Sequence, residues 1–309
     1  GGVLILVRPV LGLFALIILA LIPRFDFGTG TEVTLNLATL LIPALVVAGI
    51  LSMVRRRHLG MTSSRANLPL ALFLLTGLFS LLIGRATWDP MVPVSDSFLL
   101  VQVAQWAIFA FSALAFWLSA NLVTDEVTLQ RLTFLFLGLA GGVAIMRAIP
   151  GVSDLVNRTV TLAFIRTPLW VLLAALGGGQ LLFNRRLSLG LRILLVSALV
   201  AALFYAFVED TEADSNWVGL ATVFGSLLWM RFPRLHWPII ILTVGLLAAG
   251  ALFPALYEFA GGDAEWQESG ASRLALIERV IDVTMRNPIT GLGPASYRSY
   301  AAMQPLKYG

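Results

Sequence analysis

The chain contains no cysteine. Thiol catalysis, iron–sulfur ligation, thiolate zinc sites and a disulfide scaffold are therefore excluded within its 309 residues. Charge is scarce too: Asp, Glu, Lys and Arg make up 12% of the chain, against roughly 25% in a soluble domain. The two histidines, His58 and His236, stand alone, and no His, Asp or Glu spacing reads as a metal site. Low-complexity tracts and collagen periods are missing, which removes disorder and fibres. What fills the chain is apolar, 58% of residues with a mean hydropathy of +0.88. A water-exposed globule is ruled out, and the bilayer becomes the main solvent. The net charge of +4 comes from basic residues scattered between apolar runs, so they read as topology signals rather than a nucleic-acid patch.

Apolar runs between charged or Pro/Gly-rich breaks predict an all-α polytopic bundle of nine spans, at 3–22, 32–54, 68–84, 98–120, 132–150, 162–183, 190–208, 216–230 and 237–257. No segment alternates in polarity as a β-barrel strand would. Residues 1–257 thus form the bundle and 258–309 an extramembrane segment. Arg55, Arg56, Arg57, Arg65, Arg131, Arg185, Arg186, Arg231 and Arg234 fall in the even-numbered loops, and Arg24, Arg85 and Arg158 in the odd ones. Nine against three places the N-terminus and the even loops in the cytoplasm, and 258–309 outside. The opening Gly1-Gly2 and the stop at Lys307-Tyr308-Gly309 inside a polar stretch predict a piece of a longer protein.

Ionisable residues within spans are expensive, at about 2.5–3.5 kcal/mol at mid-bilayer. No Asp or Glu lies at the middle of a span, which disfavours a proton- or sodium-coupled carrier. The seventh loop, Glu209 to Asp214, reads as a solvated acidic loop, and His58 and His236 as solvated or interfacial residues of cytoplasmic loops. Arg8 snorkels near the cytoplasmic end of span one. Arg147 sits about one turn inside the outer end of span five. Arg166 occupies the outer end of span six, and Arg158 the loop between. Each either snorkels or, taken together, they present planar guanidinium groups suited to phosphate oxygens. Gln102, Gln105 and Gln180 read as interhelical hydrogen-bond partners. Gly138/Gly142 and Gly245/Ala249 read as close-packing pairs, while Gly177-Gly178-Gly179 marks either close packing or a local break.

After span nine, the polar stretch Gly261 to Gly270 leads into an amphipathic helix at 272–286, with Leu274, Ile277 and Ile281 on one face. Asn287-Pro288 closes it, and Gly291-Leu292-Gly293-Pro294 makes a tight turn before Tyr297 and Tyr300. The helix either lies on the membrane surface or folds back as a lid.

The string Ser269-Gly270-Ala271-Ser272-Arg273, the helix, Arg286-Asn287-Pro288-Ile289-Thr290-Gly291-Leu292-Gly293-Pro294 and then Tyr297 resembles the signature of the O-antigen ligase/O-antigen polymerase family. There, too, a large extracytoplasmic loop follows the ninth span or thereabouts. The resemblance implies an integral-membrane glycosyltransferase of the GT-C type in the bacterial cytoplasmic membrane. It would move a glycan from undecaprenyl diphosphate to a hydroxyl of a glycan or lipid acceptor, with no metal and no cofactor. It further implies Arg273 on the diphosphate with the helix as a cap. Arg273 and Arg166 are then the catalytic candidates, and Arg147, Arg158, Arg286 and Tyr297 the contacts to diphosphate or glycan. Two departures stand out. Ser215-Asn216 occupies the start of span eight, where the family carries a hydroxyl residue and then Arg, and the His expected later in the outer loop would fall beyond Gly309. A second function class, a lipid-linked glycan flippase or exporter, would use the same arginines without making a bond.

Overall fold

Runs of Leu, Val, Ile and Phe offer the backbone no side-chain partner, so in hydrocarbon a segment persists only if it pairs its own amides as a helix. In the computed structural model, which describes residues 8–23, 25–28, 34–55, 62–160, 167–204, 215–250 and 271–302, each of the nine apolar runs holds a helix. These are α1 (Pro9–Leu21), α2 (Leu37–Arg55), α3 (Asn67–Ala86), α4 (Phe98–Leu122), α5 (Glu126–Arg147), α7 (Thr167–Phe183), α8 (Leu189–Phe204), α9 (Ser215–Arg231) and α10 (His236–Ala248). The described residues also hold α6 (Ser153–Thr159), α11 (Ala271–Thr284), α12 (Ser296–Ala302) and a 3-10 turn at Pro233–Leu235. The chain is nearly all helical, and α2, α3, α4 and α5 are long and apolar enough to cross a membrane. Helices α1, α7 and α8 are apolar but shorter, and their expected spans run on into residues outside the described ones.

The chain divides into two compact units, a division by contact rather than by membrane depth. The first contains residues 26–122 and 261–309. In it β1 (Asp26–Gly28) pairs antiparallel with β2 (Thr34–Asn36), Phe27 opposite Leu35, a hairpin that hydropathy did not foresee. Helix α4 packs on α2 and α3. Gly77 lets α3 approach the Trp106 indole, which a Cβ there would meet at 3.1 Å, and the indole Nε1 donates to the Leu74 carbonyl at 3.1 Å. At the far end of the pair, Asn121 Oδ1 accepts from the Thr62 amide at 2.9 Å, tying the chain before α3 to the last turn of α4. The other side of α3 is bare: Leu72, Phe79 and Leu82 are each more than half exposed, the surface that lipid covers in a membrane protein.

The second unit contains residues 10–25 and 123–260, with its core at the packing of α5, α7, α8 and α9. Leu137, Ala140, Trp170, Leu173, Leu195 and Leu220 fill it. Among the described residues the expected close-packing role of Gly138, Gly142 and Gly245 is not met, because a Cβ on any of them finds no described atom within 4 Å. Gly141 takes that role, where a Cβ would lie 2.9 Å from Ala198 Cβ. Successive helical residues turn by about 100°, so Gly141 faces α8 while Gly142 does not. The three glycines 177–179 lie inside an unbroken α7, and Gly178 packs on Leu227. Packing, not a break, explains them.

Helix α5 starts at Glu126, earlier than hydropathy placed it, because the Asp125 carboxylate caps it by accepting from the Thr128 amide at 2.7 Å. That backbone hydrogen bond holds the Asp125 carboxyl below its ordinary range. Arg147 is the last residue of α5, not one turn inside it, and is buried at 6% exposure rather than snorkelling to solvent. His236 is likewise no freely solvated loop residue: it opens α10, stacks on Trp229 at 4.0 Å and hydrogen-bonds that residue's carbonyl at 2.7 Å through Nε2. The expected interhelical role of Gln180 is also corrected, since its Oε1 accepts from Asn184 one turn along the chain at 2.7 Å. His58, the acidic loop 209–214 and the stretch 261–270 lie outside the described residues.

Candidate functional site

Helix α11 ends at Thr284, two residues before the expected limit, and Val283 at its end is buried. Its partners are Val92, Leu292 and Tyr300, with Trp88 and Tyr297 packed against them. The segment that follows α11 therefore folds back within the first unit onto the connection between α3 and α4.

A glycine-rich turn makes this possible. Gly291 (φ +71°) and Gly293 (φ +93°) adopt left-handed conformations that side chains resist. The Gly291 amide donates to the Asn287 carbonyl at 2.9 Å and the Gly293 amide to Ser80 Oγ at 3.2 Å. The Leu292 backbone lies directly on Gly84 of α3, where no Cβ can stand. Beside the turn, Asn287 Nδ2 donates to Thr87 Oγ1 at 3.3 Å, and Thr290 Oγ1 donates to Asn287 Oδ1 at 2.8 Å.

Tyr300, buried at 4% exposure, organises the rest. Its hydroxyl accepts from the Asp89 amide at 3.2 Å, and its ring meets Trp88 edge-on at 4.8 Å. The Arg286 guanidinium lies over the same ring with Cζ 5.3 Å from the centroid. Arg286 Nη1 stands 3.9 Å from Asp89 Oδ2, both side chains more than 40% exposed. Thr87, Asp89, Arg286, Asn287, Leu292 and Tyr300 line an open cleft of about 490 Å³. It offers guanidinium donors, a carboxylate acceptor, a carboxamide and an apolar patch.

A second cleft of about 540 Å³ runs between α3 and α4 beneath the turn, walled by Phe73, Trp106, Phe109 and Ile289, with Ser80 and Gln105 as polar members. Gln102 is fully buried beneath that turn, and a Cβ on Gly293 would come within 2.8 Å of its Nε2. Its amide has no hydrogen-bond partner among the described residues, so the interhelical bond expected of it is not formed.

Of the six residues singled out in the sequence, the structure brings Arg286 and Tyr297 into one neighbourhood, Arg286 in the cleft and Tyr297 half-buried against its hydrophobic floor. Arg273 lies in the first turn of α11, in the same unit. Arg147 and Arg158 belong to the second unit, the former buried and the latter exposed in α6. Arg166 lies outside the described residues, and Ser215 and Asn216 open α9. Sequence reasoning passed over Asp89, Thr87 and Ser80, whose partners lie some two hundred positions away. The only local hint was a helical glycine, Gly84, next to a Thr-Trp-Asp-Pro loop. Among the described residues no group of His, Asp or Glu is arranged to hold a metal ion. No protein-family model matches the chain, and no curated protein and no solved structure matches it.

Proposed function

We propose that the chain is a membrane glycan transferase of the O-antigen ligase/polymerase kind, passing an oligo- or polysaccharide from undecaprenyl diphosphate to an acceptor hydroxyl. In this reading it is a multi-pass protein of the bacterial cytoplasmic membrane, with nine spans and with 258–309 on the extracytoplasmic side. The acceptor oxygen attacks the anomeric carbon and inverts it, the bond to the phosphate oxygen breaks, and the acceptor proton leaves to a general base. Negative charge then grows on the departing lipid diphosphate, where fixed guanidinium donors lower the barrier without a metal. Arg273 is assigned to that charge, with Arg286 and Tyr297 of the same unit along the diphosphate and glycan.

The observation that carries the reading is the fold-back of residues 286–300 onto the end of α3 and α4. It sets a polar, half-exposed cleft at the very end of two helices long enough to cross a membrane. The orientation read from the loop arginines puts that end outside, where a lipid-linked glycan is handed over. A flippase would need a polar path through the spans, which offer little beyond Gln102, Gln105 and Gln180, the last of them hydrogen-bonded to Asn184.

The test is complementation of a strain lacking the gene, with lipid-linked glycans and surface polysaccharide read by gel and mass spectrometry. Single undecaprenyl-linked units should accumulate if the chain polymerises, and finished chains if it ligates. Arg273→Ala should abolish transfer while leaving membrane insertion intact. Wild-type transfer in that variant, or units held on the cytoplasmic leaflet of the null strain, would refute the assignment.

A further inference from the structure

Building on the transferase reading, we infer that the Asp89–Arg286 cleft is a subsite for one neutral sugar ring, held through a vicinal pair of hydroxyls. The pair is the first reason. At 3.9 Å the guanidinium and carboxylate are too far apart for a direct hydrogen bond, and both are nearly half exposed, so the contact contributes little to stability. Each member is nonetheless held in place. Asp89 Oδ1 accepts from the Met91 amide at 2.9 Å, the Asp89 amide donates to the Tyr300 hydroxyl, and Arg286 lies over the Tyr300 ring. One buried tyrosine thus positions a donor and an acceptor that barely use each other. Preorganised groups of this sort bind a ligand without the entropic cost of ordering them.

Charge selects the ligand class. One positive and one negative group face the same space, so an isolated phosphate at Arg286 would meet the Asp89 carboxylate as well. A hydroxyl suits the gap, because it can accept from the guanidinium while donating to the carboxylate. Adjacent hydroxyls on a pyranose ring give two such bridges, and Asn287 keeps one amide hydrogen beyond the one given to Thr87. Leu292 supplies an apolar surface for the C–H face of the ring. The volume of about 490 Å³ falls within the roughly 300–1,000 Å³ of small-molecule sites.

The test uses the whole chain in lipid nanodiscs and saturation-transfer NMR with methyl glucoside, methyl rhamnoside and methyl galactoside, set against glycine and inorganic pyrophosphate. At least one glycoside should bind, and Asp89→Asn, which keeps the side-chain shape, should weaken it about tenfold, the loss expected of a charged hydrogen bond. Arg286→Lys should weaken it too, by removing the planar fork. Absence of glycoside binding, equal affinity in both variants, or binding of glycine or pyrophosphate in place of the sugars would overturn the subsite. Glycan transfer measured alongside separates the two proposals. Unchanged transfer and unchanged glycoside binding in Asp89→Asn remove the subsite and leave the transferase. Glycoside binding that depends on Asp89 in a wild-type chain that transfers nothing removes the transferase and leaves the subsite.

Discussion

Replacing Gly84 by alanine places a methyl group where the Leu292 carbonyl already lies. The added Cβ also falls 2.7 Å from the Gly293 nitrogen, and these neighbours are backbone atoms rather than the tip of a flexible side chain. They cannot retreat singly, since Gly293 is bonded to Ser80 and both turn glycines sit at positive φ. Overpacking of this kind costs about 1–3 kcal/mol, whereas alanine for glycine within a helix returns about 0.5–1 kcal/mol. The overpacking falls on the docking of residues 286–300, so the population of the undocked segment rises about 5- to 150-fold, while the helix gain leaves a net loss of up to about 2.5 kcal/mol in overall stability. Limited proteolysis between 286 and 300, followed in nanodiscs beside thermal unfolding, reads both quantities. Gly138→Ala is the control, because its methyl meets nothing within 4 Å and should only stabilise α5. A Gly84→Ala protein that is cleaved no faster than wild type and melts no lower would refute the close approach on which the cleft depends.

Tyr300→Phe removes the acceptor of the Asp89 amide and should cost about 0.5–1.5 kcal/mol, seen as a lower melting temperature with the ring packing retained. Gly141→Ala should destabilise the second unit by up to about 2.5 kcal/mol, its collision with Ala198 outweighing the helix gain of alanine, while Gly142→Ala one residue on should be neutral or stabilising; thermal unfolding of the two side by side decides. The Asp125 cap gives a pH dependence. Its carboxyl titrates below the ordinary range because the charged form accepts from Thr128, so the cap is fully effective above that range. It is lost as acid carries the pH down through the depressed value. Protection of the Thr128 amide, its exchange rate taken relative to the intrinsic rate at the same pH, should fall over that acid interval in wild type and should be low throughout in Asp125→Ala.

Hydropathy alone makes the helices legible. Each of the nine apolar runs contains one, because in lipid no other open segment satisfies its backbone. The ends are less legible, since they depend on caps that carry no hydropathy. The Asp125 cap adds residues 126–131 to α5, under two helical turns that hydropathy alone does not mark as helix. The C-terminal segment reads well up to its own boundary. Its helix, the Asn-Pro stop and the Gly-x-Gly turn all follow from local chemistry, and the positive φ values at 291 and 293 are what those glycines serve. Where the turn docks does not follow from local chemistry. Thr87 and Asn287 are 200 positions apart and Asp89 and Tyr300 are 211 apart, and nothing in either stretch names the other.

Membrane helices add a further obscurity. A soluble helix announces its buried face by polarity, but a helix apolar all round gives no such stripe, so rotation about its axis cannot be read from composition. That is why Gly141, rather than the pair spaced four apart around it, makes the close approach to α8. It is also why Arg147 is buried where the sequence left snorkelling open. The same reasoning changes how the arginines are weighed. Cost in the bilayer singled out Arg147 and Arg166 as the expensive charges, yet cost speaks only of depth and not of neighbours. Arg286 lies in a loop and is cheap by that measure, yet it alone among the described candidates sits over an aromatic ring, beside a carboxylate and in an open cleft. A residue held in place at little gain to stability has its reason in what it meets from outside, and that makes Arg286 and Asp89 the positions where binding measurements will be most informative.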